Sequence, residues 1–231
     1  MADADGQKRD AAHAAVERFV QSGATVGLGS GTTSAFVVRR IGELLDAGAL
    51  GGVRGIPTSE STAALAREVG IPTVSLAEAR PTLTLDGADE IGPGLAAVKG
   101  LGGALLREKI VAAASTTGLV LVADASKTVD SLGTRAPVPV EVDPFGWQAT
   151  LEALSVLGCQ PRLRMDADPQ RPFVTDGGHY TADCAFDGID DPAALEAAIR
   201  NIPGALECGL FVGLALAAVV AGGEGVRILE K

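Results

Sequence analysis

The chain has 231 residues, 47% of them apolar, and a formal charge of −10, so it has room for one or two domains and a core that buries roughly 70–75% of the unfolded surface. The acidic balance excludes a nucleic-acid binder, which needs a basic footprint, but leaves room for a small phosphorylated molecule held by a few amides and cations. Three widely spaced cysteines (Cys159, Cys184, Cys208) and two histidines (His13, His179) give no disulfide framework and no histidine-rich metal site, and fit a reducing compartment.

In chain order, apolar spacing predicts a helix over 10–21 and a short buried strand over 24–28. A helix follows over 32–47, with Phe36, Val37, Ile41, Leu44 and Leu45 on one face. Next come a strand at 53–56, a helix at 61–69 stopped by Gly70, and short strands at 73–75 and 82–85. A helix at 104–114 and a strand at 119–123 complete a β/α alternation that argues for an open parallel sheet covered on both faces. After Lys127 the rhythm changes. Residues 136–143 (APVPVEVD) read as a proline-interrupted strand suited to a sheet edge. A helix at 147–157, strands at 162–165 and 173–184, and a helix at 192–201 then suggest a small α+β domain with an antiparallel sheet. The tail, with a last strand at 226–229, is assigned to the first domain, giving 1–134 plus 206–231 and a second domain at 135–205.

The N-terminus, MADADGQKRD, has no apolar leader core. The longest apolar run, 208–223, is glycine-rich and shorter than the about 20 residues of a membrane helix, so it reads as buried core. A cytoplasmic protein without a membrane partner is expected.

Two stretches carry chemistry. GLGSGTTS at 27–34 follows a strand and opens a helix, and its glycines let backbone approach a ligand closely. Ser30, Gly31, Thr32 and Thr33 offer hydroxyls and helix-start amides to an anion. The spacing matches neither GxGxxG nor GxxxxGK[ST], so a dinucleotide or triphosphate is not indicated. A tight turn with threonine capping is the plainer alternative.

The second stretch, DGADEIGPGLAAVKGLGGALLREK at 86–109, begins at the carboxyl end of a strand, where open α/β sheets bind ligands. Asp86 and Asp89 flank Gly87 and Ala88, and could act together or simply form an Asx turn. Lys99 precedes Gly100, Leu101 and Gly102, and a cation beside exposed amides can hold an oxyanion, although a lone loop lysine is usually just solvated. Glu108 shares a helix face with Ala104, Leu105, Val111 and Ala112. That face desolvates a carboxyl and suits a general base, while pairing with Arg107 or Lys109 is the structural alternative.

Taken together, GLGSGTTS (27–34), DGADEI (86–91), KGLGGALLREKI (99–110) and ADASKTVDSLG (123–133) resemble the signature stretches of the type A ribose-5-phosphate isomerase family. PVPVEV (137–142), VTDGG (174–178) and NIPG (201–204) extend the likeness in order along nearly the whole chain. The resemblance implies a Rossmann-like open, mostly parallel sheet and a smaller ferredoxin-like α+β domain. It implies interconversion of D-ribose 5-phosphate and D-ribulose 5-phosphate in the non-oxidative pentose phosphate pathway, with no metal or organic cofactor, by a homodimer or a dimer of dimers. On this likeness Ser30 to Thr33 bind substrate, chiefly its phosphate, with help from Lys127. Asp86 to Asp89 handle ring opening and hydroxyl protons, Lys99 to Gly102 stabilise an enediolate, and Glu108 carries the proton between carbons.

Three features depart from the family pattern. Leu101 stands where a glycine is usual, the basic residue near the start is either Lys8 or Arg9, and the tail is more apolar. Two other readings stay open: a sugar-phosphate deaminase or acyl-transfer enzyme on a similar fold, and a sugar-phosphate-sensing module without catalysis.

Overall fold

The computed structural model describes residues 4–230. The elements run α1 (Ala4–Phe19), β1 (Thr25–Leu28), α2 (Thr32–Asp46), β2 (Arg54–Pro57), α3 (Glu60–Glu68), β3 (Leu83–Gly87), β4 (Glu90–Ile91), β5 (Ala97–Val98) and α4 (Leu105–Ala114). They continue with β6 (Gly118–Asp124), β7 (Val138–Val142), α5 (Trp147–Ser155), β8 (Gln160–Leu163), β9 (Tyr180–Ala185), α6 (Pro192–Arg200), β10 (Ala205–Cys208), β11 (Leu210–Phe211), β12 (Ala215–Gly222) and β13 (Gly225–Glu230).

Two compact units result. One contains residues 4–88, 107–127 and 214–230, the other residues 89–106 and 128–213. The expected boundaries are redrawn by strand pairing. β11 pairs with β5 and β5 with β4, so the stretches around 89–106 and 206–213 belong to the second unit. Residues 128–134 join them, because Thr128 bridges Ile91 and the Gly133 amide donates to Glu90 at 2.6 Å.

The first unit is a six-stranded sheet in the order β13-β12-β6-β3-β1-β2. Every pairing is parallel except the β12–β13 hairpin. β6 and β12 are apolar nearly throughout and buried along their length, as strands covered on both faces must be. This accounts for the apolar tail: Ala217 to Ala221 fill an inner strand between β6 and β13. α1 contributes Ala11, Ala12, Ala15 and Val16 to the same core, small residues that let the helix lie close to the strands. The 73–75 stretch forms no strand of its own but a single bridge, Thr73 to Gly55.

The second unit carries a four-stranded antiparallel sheet, β10-β7-β9-β8, in a β-α-β-β-α-β chain order. That order and strand arrangement give the ferredoxin-like α+β plan. β7 is not the edge strand its prolines suggest, since it pairs with both β9 and β10. The Pro139 carbonyl accepts from the Gly209 amide at 2.7 Å, so this residue's backbone faces the β10 side. The last β7–β10 pair is Cys208 with Val140, and the missing proline donor falls just beyond it, where no ladder bond is needed. β9 starts at Tyr180 rather than 173, because the VTDGG stretch turns back on itself through a Gly178 N–H to Thr175 carbonyl bond of 2.9 Å.

Candidate active site

In the six-stranded sheet, the order in which strands are added reverses about β1: β2 lies on one side, while β3, β6 and β12 extend the other way. A ligand crevice forms at such a switch point, outside the carboxyl ends of the strands. The GLGSGTTS loop leaves β1 there, and Asp86 lies in the carboxyl-terminal half of β3. The two are bonded directly. Asp86 is fully buried, and its Oδ1 accepts from the Ser30 amide at 3.2 Å and the Ser34 hydroxyl at 2.9 Å. The Gly87 amide reaches the same oxygen at 2.8 Å. Gly29 is required by this approach, because a Cβ there would fall 2.0 Å from Asp86 Oδ1.

Gly31 is the N-cap of α2 at φ 91°, and no side chain caps the helix start. A left-handed residue at this position turns the chain sharply and leaves the first amides of a 15-residue helix directed outward from its N-terminus. Gly31 and Thr32 are exposed and Thr33 is partly so, which suits a site for an incoming anion. The Ser30 hydroxyl points elsewhere. It contacts Thr58 Oγ1 at 2.8 Å, Ser59 Oγ at 2.7 Å and Thr62 Oγ1 at 3.2 Å. Thr58 and Thr62 in turn donate to the Leu28 and Gly29 carbonyls, each at 3.0 Å. This hydroxyl cluster, which fixes the loop after β1, escapes the sequence reading. Its signal is TSEST at 58–62, directly after β2, and Ser59 also caps α3 through the Thr62 amide at 3.1 Å.

Lys127 ends the short turn after β6, at the same carboxyl-terminal side of the parallel sheet. Glu108 sits in the first turn of α4 and is only 3% exposed. Two contacts locate that helix within the unit. Ser115, just past its end, bonds Thr84 of β3 at 2.8 Å, and Arg107 beside Glu108 pairs with Glu60 in the first turn of α3 at 3.0 Å. The start of α4 therefore lies next to the start of α3, whose cap belongs to the hydroxyl cluster. Lys8 pairs with Asp5 and Arg9 with Asp10, both at 3.2 Å.

The other candidates belong to the second unit. Lys99 is 2% exposed, follows β5, and holds its ammonium 5.2 Å from the centre of the Phe211 ring. Gly100 to Gly103 form a turn closed by the Gly103 amide on the Gly100 carbonyl at 2.9 Å. Asp89 Oδ2 accepts from the Leu101 amide at 3.0 Å. The Leu101 N–H is therefore engaged by a carboxylate, and its side chain, 41% exposed, projects outward without disturbing the turn. Glu90, which adjoins Asp89, has a different task. It is fully buried and accepts the Gly133, Arg135 and Ala136 amides at 2.6 to 2.8 Å, tying DGADEI to the loop of the SKTVDSLG stretch. The three cysteines are buried in this unit's core, where the hydrogen bond with the Cys159 thiol, followed by burial, pushes the pKa of the Cys184 thiol up. Glu196, Glu207 and Cys208 bring ligand atoms within 4.8 Å of one another, and Arg200 lies 3.7 Å from Glu207 and offsets part of that charge.

The first unit holds an uncapped helix start, the buried Asp86 bonded to the loop before it, and a buried glutamate; the second unit holds a buried lysine followed by a turn of amides. Residues 54–225, well over half the chain, match the family model of ribose 5-phosphate isomerase A (phosphoriboisomerase A).

The chain belongs to the ribose 5-phosphate isomerase A family.

The GLGSGTTS loop precedes the matched residues but lies within the span shared with whole relatives. The chain is 54% identical to ribose-5-phosphate isomerase A of Gloeobacter violaceus, over 98% of this chain and 97% of that one. It is 49% identical to the Synechococcus sp. protein of the same name, over the full length of both. A solved D-ribose-5-phosphate isomerase in complex with phospho-erythronic acid superposes with a TM-score of 0.96 at 37% identity, covering 99% of this chain and all of that one. The ribose 5-phosphate isomerase of Plasmodium falciparum gives 0.93 at 36% identity, over 98% and 99%. Membership in this family of isomerases sets aside the deaminase, acyl-transfer and sensor readings. Among the described residues, no helix is long and apolar enough to cross a membrane.

Proposed function

We propose that this protein interconverts D-ribose 5-phosphate and D-ribulose 5-phosphate by moving a proton between C1 and C2 through an enediolate. The observation that supports it most is the switch point of the parallel sheet, where an uncapped helix start and the buried Asp86 are joined by hydrogen bonds. Relatives and solved structures bearing the isomerase name along the whole chain support the same reading.

The Ser30–Thr33 loop holds the phosphate through the helix-start amides and the Thr32 and Thr33 hydroxyls, with Ser30 anchoring the loop by its bonds to Asp86 and the hydroxyl cluster, and Lys127 adds a cation at the carboxyl end of β6. Fixing the non-reacting end keeps C1 and C2 in register with the base. Asp86 to Asp89 take part in ring opening and exchange hydroxyl protons. Glu108 removes the carbon-bound proton and returns it to the adjacent carbon, a task for one carboxylate in both steps. Lys99 and the turn from Gly100 to Gly102 stabilise negative charge on the enediolate oxygens, commonly the largest catalytic contribution. No step uses a metal or an organic cofactor. The free thiols fit the cytoplasm, and the family resemblance supports a homodimer or a dimer of dimers.

Incubating purified protein with ribose 5-phosphate and a chelator tests the function directly. Ketose should form at an undiminished rate. Absence of turnover would defeat the isomerase reading, and dependence on added metal would defeat the mechanism. Lys127→Ala should raise KM about tenfold or more, with a smaller change in kcat, as a lost phosphate contact does. A pure loss of kcat would count against the phosphate role.

A further inference from the structure

Arg164 follows β8 and is 14% exposed. Its Nε donates to Asp183 Oδ2 at 2.9 Å and its Nη2 to Asp183 Oδ1, a two-point pairing that fixes the plane of the guanidinium. Phe173 lies against it, 5.7 Å from ring centre to Cζ. Nη1 then reaches two successive carbonyls of the lysine turn, Gly100 O at 3.3 Å and Leu101 O at 2.9 Å. Phe173 also packs on the turn itself, since a Cβ on Gly103 would fall 2.4 Å from its ring.

These bonds orient two peptide groups. The Gly100–Leu101 peptide is held at both ends, its carbonyl by Arg164 and its N–H by Asp89. The Leu101–Gly102 peptide is held at its carbonyl alone. Its bond is trans, so the Gly102 N–H points opposite to that carbonyl and away from Arg164. No group among the described residues accepts from this N–H. A cation bonded to a peptide oxygen also polarises the N–H across the same peptide and makes it a stronger donor.

We propose that Arg164 is a positioning residue for the isomerisation. It fixes the planes of the turn so that the Gly102 N–H is presented to the oxygen that gains charge in the enediolate. This rests on the reading of the Lys99–Gly102 turn as the oxyanion site. A lysine at this position keeps the charge but cannot pair with Asp183 at two points and span two carbonyls together.

The test compares wild type, Arg164→Ala, Arg164→Lys and Asp183→Asn for kcat, KM for ribose 5-phosphate, inhibition by phospho-erythronic acid and thermal unfolding. Arg164→Ala should lower kcat by about 10- to 100-fold, change KM less than about threefold, and weaken the inhibitor about tenfold or more. Arg164→Lys should recover part of kcat, and Asp183→Asn should lose kcat in the same direction with a smaller amplitude. A kcat for Arg164→Ala within twofold of wild type would overturn the proposal, as would a loss that follows the unfolded fraction. If the alanine variant does not fold, the other two decide: wild-type kcat in both overturns it, and reduced kcat at near-constant KM supports it. Wild-type protein without turnover removes the isomerase reading and this proposal together. An active wild type with an unimpaired Arg164→Ala removes the proposal alone.

Discussion

Glu108→Gln is expected to lower kcat by at least about 10²-fold, close to 2.7 kcal/mol of barrier, with KM changed less than about threefold. Glutamine fills the same volume at a position that is 3% exposed, so packing around the first turn of α4 is preserved. It cannot accept a proton from carbon, and the loss should therefore fall on the chemical step alone. Steady-state kinetics with ribose 5-phosphate separate the two parameters. Near-normal turnover would transfer the role of base to Asp86 or Asp89.

The second large effect is at Asp86, where a structural role and a chemical one share one side chain. Its Oδ1 accepts the Ser30 amide, the Ser34 hydroxyl and the Gly87 amide in a fully buried setting. Asp86→Ala leaves these donors without their acceptor and should destabilise the fold by about 2–4 kcal/mol, since each stranded buried donor costs about 1–3 kcal/mol and the terms are not additive. Asp86→Asn keeps a carbonyl oxygen able to accept all three. It should unfold within a few degrees of wild type yet lose at least about tenfold in kcat, because a neutral amide cannot exchange substrate hydroxyl protons. Thermal unfolding read beside kinetics distinguishes the two roles. Melting temperatures equal to that of wild type in both variants would show that the carboxylate does not brace the loop after β1.

What could be read from the sequence was local. The helix over 32–47, the strand at 119–123 and the glycine-rich loop each announce themselves by spacing, and the structure forms α2, β6 and the β1–α2 loop at those places. The apolar tail reads as core without its partner; only pairing between β6 and β12 shows why it must be apolar. Long-range pairing is also what the prolines of 136–143 concealed, because a proline in an inner strand is tolerated where the neighbouring ladder ends, and that end is set by residues some seventy positions later.

The supports of the candidate site were less legible than its chemistry. Asp86, Lys99 and Glu108 stand out as charges in apolar or glycine-rich company. Thr58, Ser59 and Thr62 are ordinary small polar residues until folding brings them to Ser30 from 28 to 32 positions away. Glu90 adjoins the acidic pair and reads like part of it, yet it binds three loop amides more than forty residues on. Arg164 gives no local signal at all, since its meaning lies in Gly100 and Leu101.

The central claim is that a carbon-bound proton leaves and returns by way of an enediolate, with a carboxylate as the carrier. Running the reaction in deuterium oxide with chelator present, and following C1 and C2 by NMR, tests this most directly. Deuterium should enter C1 of ribulose 5-phosphate and C2 of recovered ribose 5-phosphate, and Glu108→Gln should slow incorporation as much as turnover. Ketose that forms to equilibrium without taking up deuterium at either carbon would contradict it.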